Sequence, residues 1–559
     1  MKRKWTLWRV FCCSGIPWLA IAILSFYYMK VWYYEEVYRR TFSIRRFDDV
    51  KGIFICAGCL WAFILFKNFL FMKTDKKIGL FTWLDKFTYV PPEISKRKKK
   101  AQHPPVAKEY LSKTPDGLVL GKEGKMFVRF PIAKGHALST IILGTPGSGK
   151  STLILTSLIY QLNRKLKTGE ERQTYFILDV KPELLRKSTM PGAAHMRELS
   201  IHDRSKYGWD VYYNLGSCAS DDDVLTELDI VARALIDAGK NEKNEFFYES
   251  ARAIFKFSCL AEYKNGRSFM QTVDYLLSSS MDGLVKKVLE QAENNPELLK
   301  VKKGLVAYEG KEGEAFQGIE LAFRQAMEIF QKDDTKFFFE GNPRKLSPLT
   351  LEEKTSVTFT IKSTRIKENK TLLRLVVMQL LHHCEDRDED DSHLITLIID
   401  EAYRLGLINW IDFLSVCRSK QVSCVLAFQS LSQMQSVWSK EDADSLLEMV
   451  SAIAVLSCAS ENTAKMICSW AGDFYEEKIS TNFGGKNDGS YSRSYETKKI
   501  LEPTDLMKLR REKEIVLFLD GEYYRVPVEK ARYFMIPELK NISERCVAAH
   551  KKINDTEEE

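Results

Sequence analysis

Gly144-Thr145-Pro146-Gly147-Ser148-Gly149-Lys150-Ser151 is the stretch that decides the fold. A glycine, four residues and then Gly-Lys-Ser is the P-loop pattern, and its meaning depends on what flanks it. Upstream, Ala137 to Leu143 carries Leu138, Ile141, Ile142 and Leu143, an apolar run that predicts a buried strand. Downstream, Ser151 to Lys165 carries Leu153, Leu155, Leu158 and Ile159 and predicts a helix. Strand, glycine turn and helix in succession let backbone N–H groups turn inward around phosphate oxygens, with the positive end of the helix dipole behind them. The candidate nucleotide-binding residues are therefore Gly144, Thr145, Pro146, Gly147, Ser148, Gly149, Lys150, Ser151 and Thr152, for ATP with Mg2+. Lys150 would reach the β- and γ-phosphates, and Ser151 would hold the Mg2+.

A second segment supports the first. Leu394 to Glu401 reads Leu-Ile-Thr-Leu-Ile-Ile-Asp-Glu, a run suited to a strand buried on both faces of a parallel sheet. Asp400 at its carboxyl end is placed for the Mg2+ shell. Glu401 beside it is the natural general base for an attacking water. Two further strands fit the same sheet: Tyr175 to Val180, leading to Asp179-Val180-Lys181-Pro182-Glu183, and Val422 to Phe428, leading to Gln429-Ser430. Polar residues at the carboxyl ends of such strands face the ligand crevice of an open α/β sheet, which makes Gln429 a candidate γ-phosphate sensor or water-orienting group. A strand at Ser356 to Ile361 and a helix at Thr371 to Cys384 extend the alternation. The fold class is α/β.

About 250 residues separate the P-loop from the Asp-Glu pair, so something substantial is inserted between them. Residues 244–333 read as helices, with Phe246, Phe247, Ala251, Ile254, Phe255 and Phe257 starting an apolar stripe and Leu276, Leu277, Leu284, Val285 and Val288 continuing it. The predicted layout is a nucleotide-binding domain over 80–243 and 334–534 with an all-α domain at 244–333. Residues 479–499 read as an exposed loop, and sheet elements return at Glu514 to Asp520 and Glu522 to Pro527. The acidic end, residues 535–559, reads as a disordered tail or docking peptide.

The chain has 559 residues, 45% hydrophobic and 28% charged, which excludes a disordered chain, a collagen and a small disulfide scaffold. Its net charge of +8 is unevenly placed. Residues 1–100 hold 20 Lys and Arg against 7 Asp and Glu, leaving a mildly acidic remainder at −5. The basic segment surrounds two apolar runs, Val10 to Met29 and about 52–72, the second broken only by Lys67. About 20 apolar residues span a bilayer as a helix, so residues 1–79 predict a membrane anchor with two transmembrane helices. A cleaved signal peptide is the alternative for the first run, but that run is longer than a typical signal core and a second span follows it. Trp5, Trp8, Trp32, Tyr33 and Tyr34 mark the interfaces, and the basic flanks favour both ends on the cytoplasmic side. The twelve cysteines show no disulfide framework. The eight histidines form no metal set by spacing, and His382-His383 reads as a helix-surface pair.

The layout resembles the type IV coupling proteins, the TraG/TraD/TrwB family of conjugation and type IV secretion ATPases related to FtsK and HerA. The resemblance is carried by the two N-terminal spans, Gly144 to Ser151, Asp179-Val180-Lys181-Pro182-Glu183 and the all-α insertion. It continues through Asp400-Glu401-Ala402-Tyr403-Arg404-Leu405-Gly406, Arg418, Gln429-Ser430-Leu431-Ser432-Gln433-Met434, Ile500 to Leu506 and Ala531 to Phe534. Tyr403, Arg404 and the segment Tyr213-Asn214-Leu215 depart from the family pattern and leave the subfamily open. The resemblance implies a RecA-like motor, a homo-oligomer (a hexameric ring) at the bacterial inner membrane with its ATPase body cytoplasmic. It would pass DNA, protein or a DNA–relaxase complex toward a secretion channel, with channel components and relaxosome or effector proteins as partners. A ring places ATP between subunits, so a neighbour's cation must reach the γ-phosphate. Arg418 is the first candidate for this trans arginine and Arg404 the second. A septal or repair DNA pump of the FtsK/HerA type, and a receptor for protein effectors, remain the alternative functions.

Overall fold

The computed structural model describes residues 106–558, apart from 132–136, 171, 240–244, 294, 312, 390–392, 407, 483–489, 510–512 and 525–527. The predicted spans at 10–29 and 52–72 lie outside the described residues. Among the described residues, no helix is long and apolar enough to cross a membrane.

The chain begins with β1 (Leu111–Ser112), β2 (Leu118–Glu123) and β3 (Met126–Phe130), then enters β4 (Thr140–Leu143) and helix α1 (Lys150–Asn163). There follow β5 (Thr174–Asp179), α2 (Leu184–Ser188), β6 (Met196–Leu199), β7 (Gly208–Trp209) and α3 (Asp221–Leu235). The helical stretch holds α4 (Glu245–Lys264), α5 (Phe269–Leu277), α6 (Met281–Glu293) and α7 (Glu314–Met327), with shorter turns between them. The chain returns through β8 (Lys345–Leu346), β9 (Ser356–Thr360), α8 (Lys370–Glu385), β10 (Ile395–Ile399), α9 (Trp410–Val416), β11 (Val422–Phe428) and β12 (Ala452–Val455). It ends with β13 (Asp473–Asn482), β14 (Ser490–Lys499), β15 (Val516–Leu519), β16 (Glu522–Tyr524), β17 (Val528–Glu529) and α10 (Pro537–Glu558).

The main sheet runs β16-β15-β12-β4-β11-β10-β5-β9-β6. From β12 to β6 every neighbouring pair is parallel, while β15 and β16 add an antiparallel edge. Every residue of β4, β5, β9, β10, β11 and β12 is buried, because both faces of the sheet are covered. Side chains alternate between two cores as the pleat requires. Ile142, Tyr175, Ile177, Ile398 and Val425 pack with α1, α2 and Leu539 of α10. Ile141, Phe176, Leu178, Leu397 and Leu426 pack on the other face with α3 and α8.

The stretch from Glu245 to Met327 is helical, and it is continuous with the second core. Phe255, Val285 and Phe323 belong to the same buried cluster as Phe176 and Phe359. Its aromatic residues serve that core: Phe255 is fully buried and packs 6.3 Å from Phe323, while Phe246 alone of the leading aromatics is widely exposed. Helix α3 joins the two parts. Its start is fixed by a capping box between Ser220 and Asp223. Its last carbonyls are taken by the buried Arg374 of α8, which donates to Arg233 and Ala234 at 2.7 and 2.8 Å and pairs with Asp237.

Two expectations need correction, and one element was missed. Residues 479–499 belong to an antiparallel ribbon in which β13 and β14 pair from Asp473–Lys499 to Asn482–Ser490; only 483–489, outside the described residues, joins them. The acidic end is helical: α10 buries Leu539, Ser543 and Cys546, and His550 bonds the Thr189 carbonyl at 3.0 Å. A second sheet, β1-β3-β2-β17, was not foreseen; three of its strands precede the P-loop strand and the fourth comes from Val528–Glu529 near the other end of the chain. Gly121 admits its last strand, since a Cβ there would lie 2.7 Å from Val528.

Candidate functional site

The cradle forms where β4 ends between two neighbours. The Gly144 N–H donates to the Phe428 carbonyl at 3.1 Å, tying the loop to β11. On the other side Thr145 N–H donates to Ser457 Oγ at 2.9 Å, just beyond β12. Gly147 and Gly149 adopt φ of 77° and 105°, where a side chain would be strained. Gly144 is needed for space, because a Cβ would stand 2.4 Å from Ser148 Oγ. Helix α1 starts at Lys150 with no side-chain cap, so its first N–H groups are left to a ligand. Ser148 Oγ is buried and makes no hydrogen bond among the described residues. These features fit a phosphate-bearing nucleotide. Ser151 and Thr152 lie half-buried in the first turn of α1.

Lys150 is buried, and its Nζ donates to the Gly144 carbonyl at 2.6 Å. Burial lowers its pKa, while Asp400 and Glu401 oppose that fall. Asp400 ends β10, 2% exposed. Burial, and next the charge of Glu401, push its carboxyl up to about 6. The Asp400 carboxylate and the Ser151 hydroxyl are oxygen donors of the kind a hard cation such as Mg2+ takes.

Glu401 turns out of the strand with φ 55° and ψ 48°, a left-handed conformation uncommon outside glycine and asparagine. Gln429 Nε2 donates to Glu401 Oε1 at 3.3 Å. The order β4-β11-β10 explains this meeting: the strand ending in Gln429 lies between the P-loop strand and the Asp-Glu strand. Gln433, one turn on, holds Gln429 from both sides at 3.2 Å.

The two arginines separate. Arg404 forms an ion pair with Glu401 of its own chain. Arg418 is exposed, just before β11 begins, whereas Gln429 follows its end. Seven strand residues at about 3.3 Å each put Arg418 on the order of 23 Å from the cradle of its own subunit. Asp179 has a structural role: buried, it accepts N–H groups of Lys181, Glu183 and Leu185 at 3.0–3.2 Å and so caps α2. Sequence reading missed Ser457 and the role of Lys181, whose Nζ lies 3.9 Å from Glu401 Oε1. Serine after a short apolar strand carries no signal of its own, while Lys181 stood in the quoted Asp-Val-Lys-Pro-Glu segment without an assigned role.

Sheet order, glycine cradle and Asp-Glu strand together define a RecA-like P-loop nucleotide-binding fold. The chain belongs to the T4SS-DNA_transf family, Type IV secretory system Conjugative DNA transfer, whose family model matches residues 95–556. Among solved structures, the bacterial conjugative coupling protein TrwBdeltaN70 in its unbound monoclinic form matches with a TM-score of 0.56 and 16% identity, over 78% of this chain and 92% of that one. Plasmid coupling protein TrwB in complex with ADP and Mg2+ matches with 0.56 and 16%, over 75% and 91%. Its complex with the non-hydrolysable ATP analogue ADPNP matches with 0.56 and 17%, over 75% and 90%. At these identities the likeness carries the fold. No curated protein sequence matches.

Proposed function

We propose that this chain is an ATP-hydrolysing motor that drives conjugative DNA transfer from the cytoplasmic face of a bacterial inner membrane. The observation that carries the reading is the convergence of Lys150, Asp400, Glu401 and Gln429 at the carboxyl ends of adjacent strands, beside an uncapped helix N-terminus. When bound, ATP with Mg2+ supplies the hydrolysable phosphoanhydride and its charge neutralisation. Lys150 would hold phosphate charge, Ser151 and Asp400 would hold the cation, and Glu401 would take the proton of an attacking water while Gln429 orients that carboxylate.

The chain acts as a ring, with a hexamer as the natural number, and Arg418 serves a neighbour's site. Its distance from its own cradle supports that assignment, and the pairing of Arg404 with Glu401 supports a cis role for Arg404. Residues 10–29 and 52–72 anchor the ring, both termini stay cytoplasmic, and channel and relaxosome components are its partners. The test is ATP turnover and DNA transfer by the full-length protein and by Lys150→Ala. Turnover and transfer should vanish in the variant while membrane insertion persists; normal transfer by it would sink the motor reading.

A further inference from the structure

Away from the cradle, three metal-ligating side chains meet where α3 packs on the end of α8. Glu227 comes from α3, and His382 and Asp386 come from the last turn of α8 and its cap. Their i,i+4 spacing puts His382 and Asp386 on one face. His382 Nε2 lies 3.2 Å from Glu227 Oε1 and 3.6 Å from Asp386 Oδ2. One ligand atom from each of the three residues lies within 4.8 Å of the others.

Two carboxylates thus converge on one ring nitrogen, and a single N–H can be directed well at only one of them. Among the described residues, His382 is the one basic side chain paired with either carboxylate. A cation at the centre satisfies all three. Tetrahedral zinc with ligands at about 2.0–2.2 Å holds those ligands roughly 3.4 Å apart, the spacing already present around Nε2. The side chains of Glu227 and His382 are 14% and 17% exposed and that of Asp386 is 67% exposed, so the site is walled on two sides and open on the third. That opening gives an entry path and room for a water ligand. Asn214 hydrogen-bonds Glu227 through its side chain. The buried Oδ1 of Asn214 makes no hydrogen bond among the described residues. Hydrogen bonds of this kind orient ligating carboxylates.

We propose that Glu227, His382 and Asp386 form a divalent metal site that takes Zn2+, with water as the fourth ligand. An imidazole among the ligands selects zinc over Mg2+, so this site does not compete for the cation of the cradle. The ion fastens α3 to α8. Because α3 also packs on α4, it fixes the helical stretch against the layer covering the main sheet. The spacing His-x3-Asp lies in the sequence, but its third ligand stands 155 residues earlier, which hid the set.

The test uses the full-length protein in detergent, stripped with chelator and titrated with Zn2+ by calorimetry, with bound metal counted after dialysis. Wild type should take up one Zn2+ that His382→Gln does not, and Asp386→Asn, at an exposed position, should bind it at least tenfold more weakly. Co2+ in place of Zn2+ should give wild type, but not His382→Gln, the absorption of a tetrahedral site. Binding of an ATP analogue verifies the fold of each variant. Equal Zn2+ uptake by wild type and His382→Gln, no uptake by wild type, or a less than tenfold change in Asp386→Asn would overturn the proposal.

Discussion

Replacing Asp400 by asparagine should stabilise the nucleotide-free protein while ending Mg2+-dependent turnover. Burial, and then the charge of Glu401, hold the Asp400 carboxyl at about 6, against 3.8 for a free aspartate. A shift of about two units corresponds to roughly 3 kcal/mol. The direction follows from which state holds the proton more tightly. The folded chain does, so as pH rises past about 4 the unfolded chain releases its proton first. Stability then falls until about pH 6 and levels off. Asparagine has no proton to lose and escapes that fall. Lys150 loses an attractive partner in the variant, which offsets part of the gain. The net advantage should be about 1–3 kcal/mol at pH 7.5, falling by more than half at pH 4.5. Urea denaturation of both proteins, without nucleotide and followed by tryptophan fluorescence, measures it. A variant no more stable than wild type at pH 7.5, or a gap that does not change with pH, would refute the reasoning.

Three further outcomes are expected. Gly144→Ala brings a Cβ to 2.4 Å from Ser148 Oγ and should weaken ATP-analogue binding at least tenfold, about 1.4 kcal/mol, with partial recovery when Ser148→Ala is added, as read by equilibrium titration. Gln429→Ala removes the amide on Glu401 and should slow turnover on the order of a hundredfold while leaving nucleotide affinity nearly unchanged, as read by steady-state kinetics beside binding. Arg418→Ala and Glu401→Gln subunits, each inactive alone, should regain turnover when mixed, because some interfaces then pair an intact Arg418 with an intact Glu401; no recovery at any ratio in verified mixed rings would assign Arg418 a structural role.

The central strands were legible because burial on both faces leaves a continuous apolar run, and Ile395–Ile399 and Val422–Phe428 are such runs. The cradle was legible because Gly144, Gly147 and Gly149 are fixed by backbone geometry and space. What failed depended on distant partners. Strand β1 has two residues and β17 two, too short for any period to register, and β17 pairs with a strand near the start of the domain. The strands β13 and β14 are rich in polar and charged residues and flank the glycine-rich sequence Phe483-Gly484-Gly485-Lys486-Asn487-Asp488-Gly489, which on composition alone read as loop. Helix α10 carried its signal at positions 539, 543, 546 and 550, but the terminal run of glutamates obscured it. Gln429 was found by its place at the end of a strand, whereas its contact with Glu401 required the strand order.

The closing of β2 by β17 bears on how the protein is made. The partner of Lys122 and Glu123 is synthesised more than four hundred residues later. At 5–20 residues per second the ribosome needs roughly 20–80 s to deliver it. Through that interval one edge of β2 stays unpaired, and an open strand edge is a template for association with other chains. A polypeptide cut short before Val528 never covers it. Pairing of β17 therefore separates chains that reach Glu529 from shorter fragments, without reference to the nucleotide cradle.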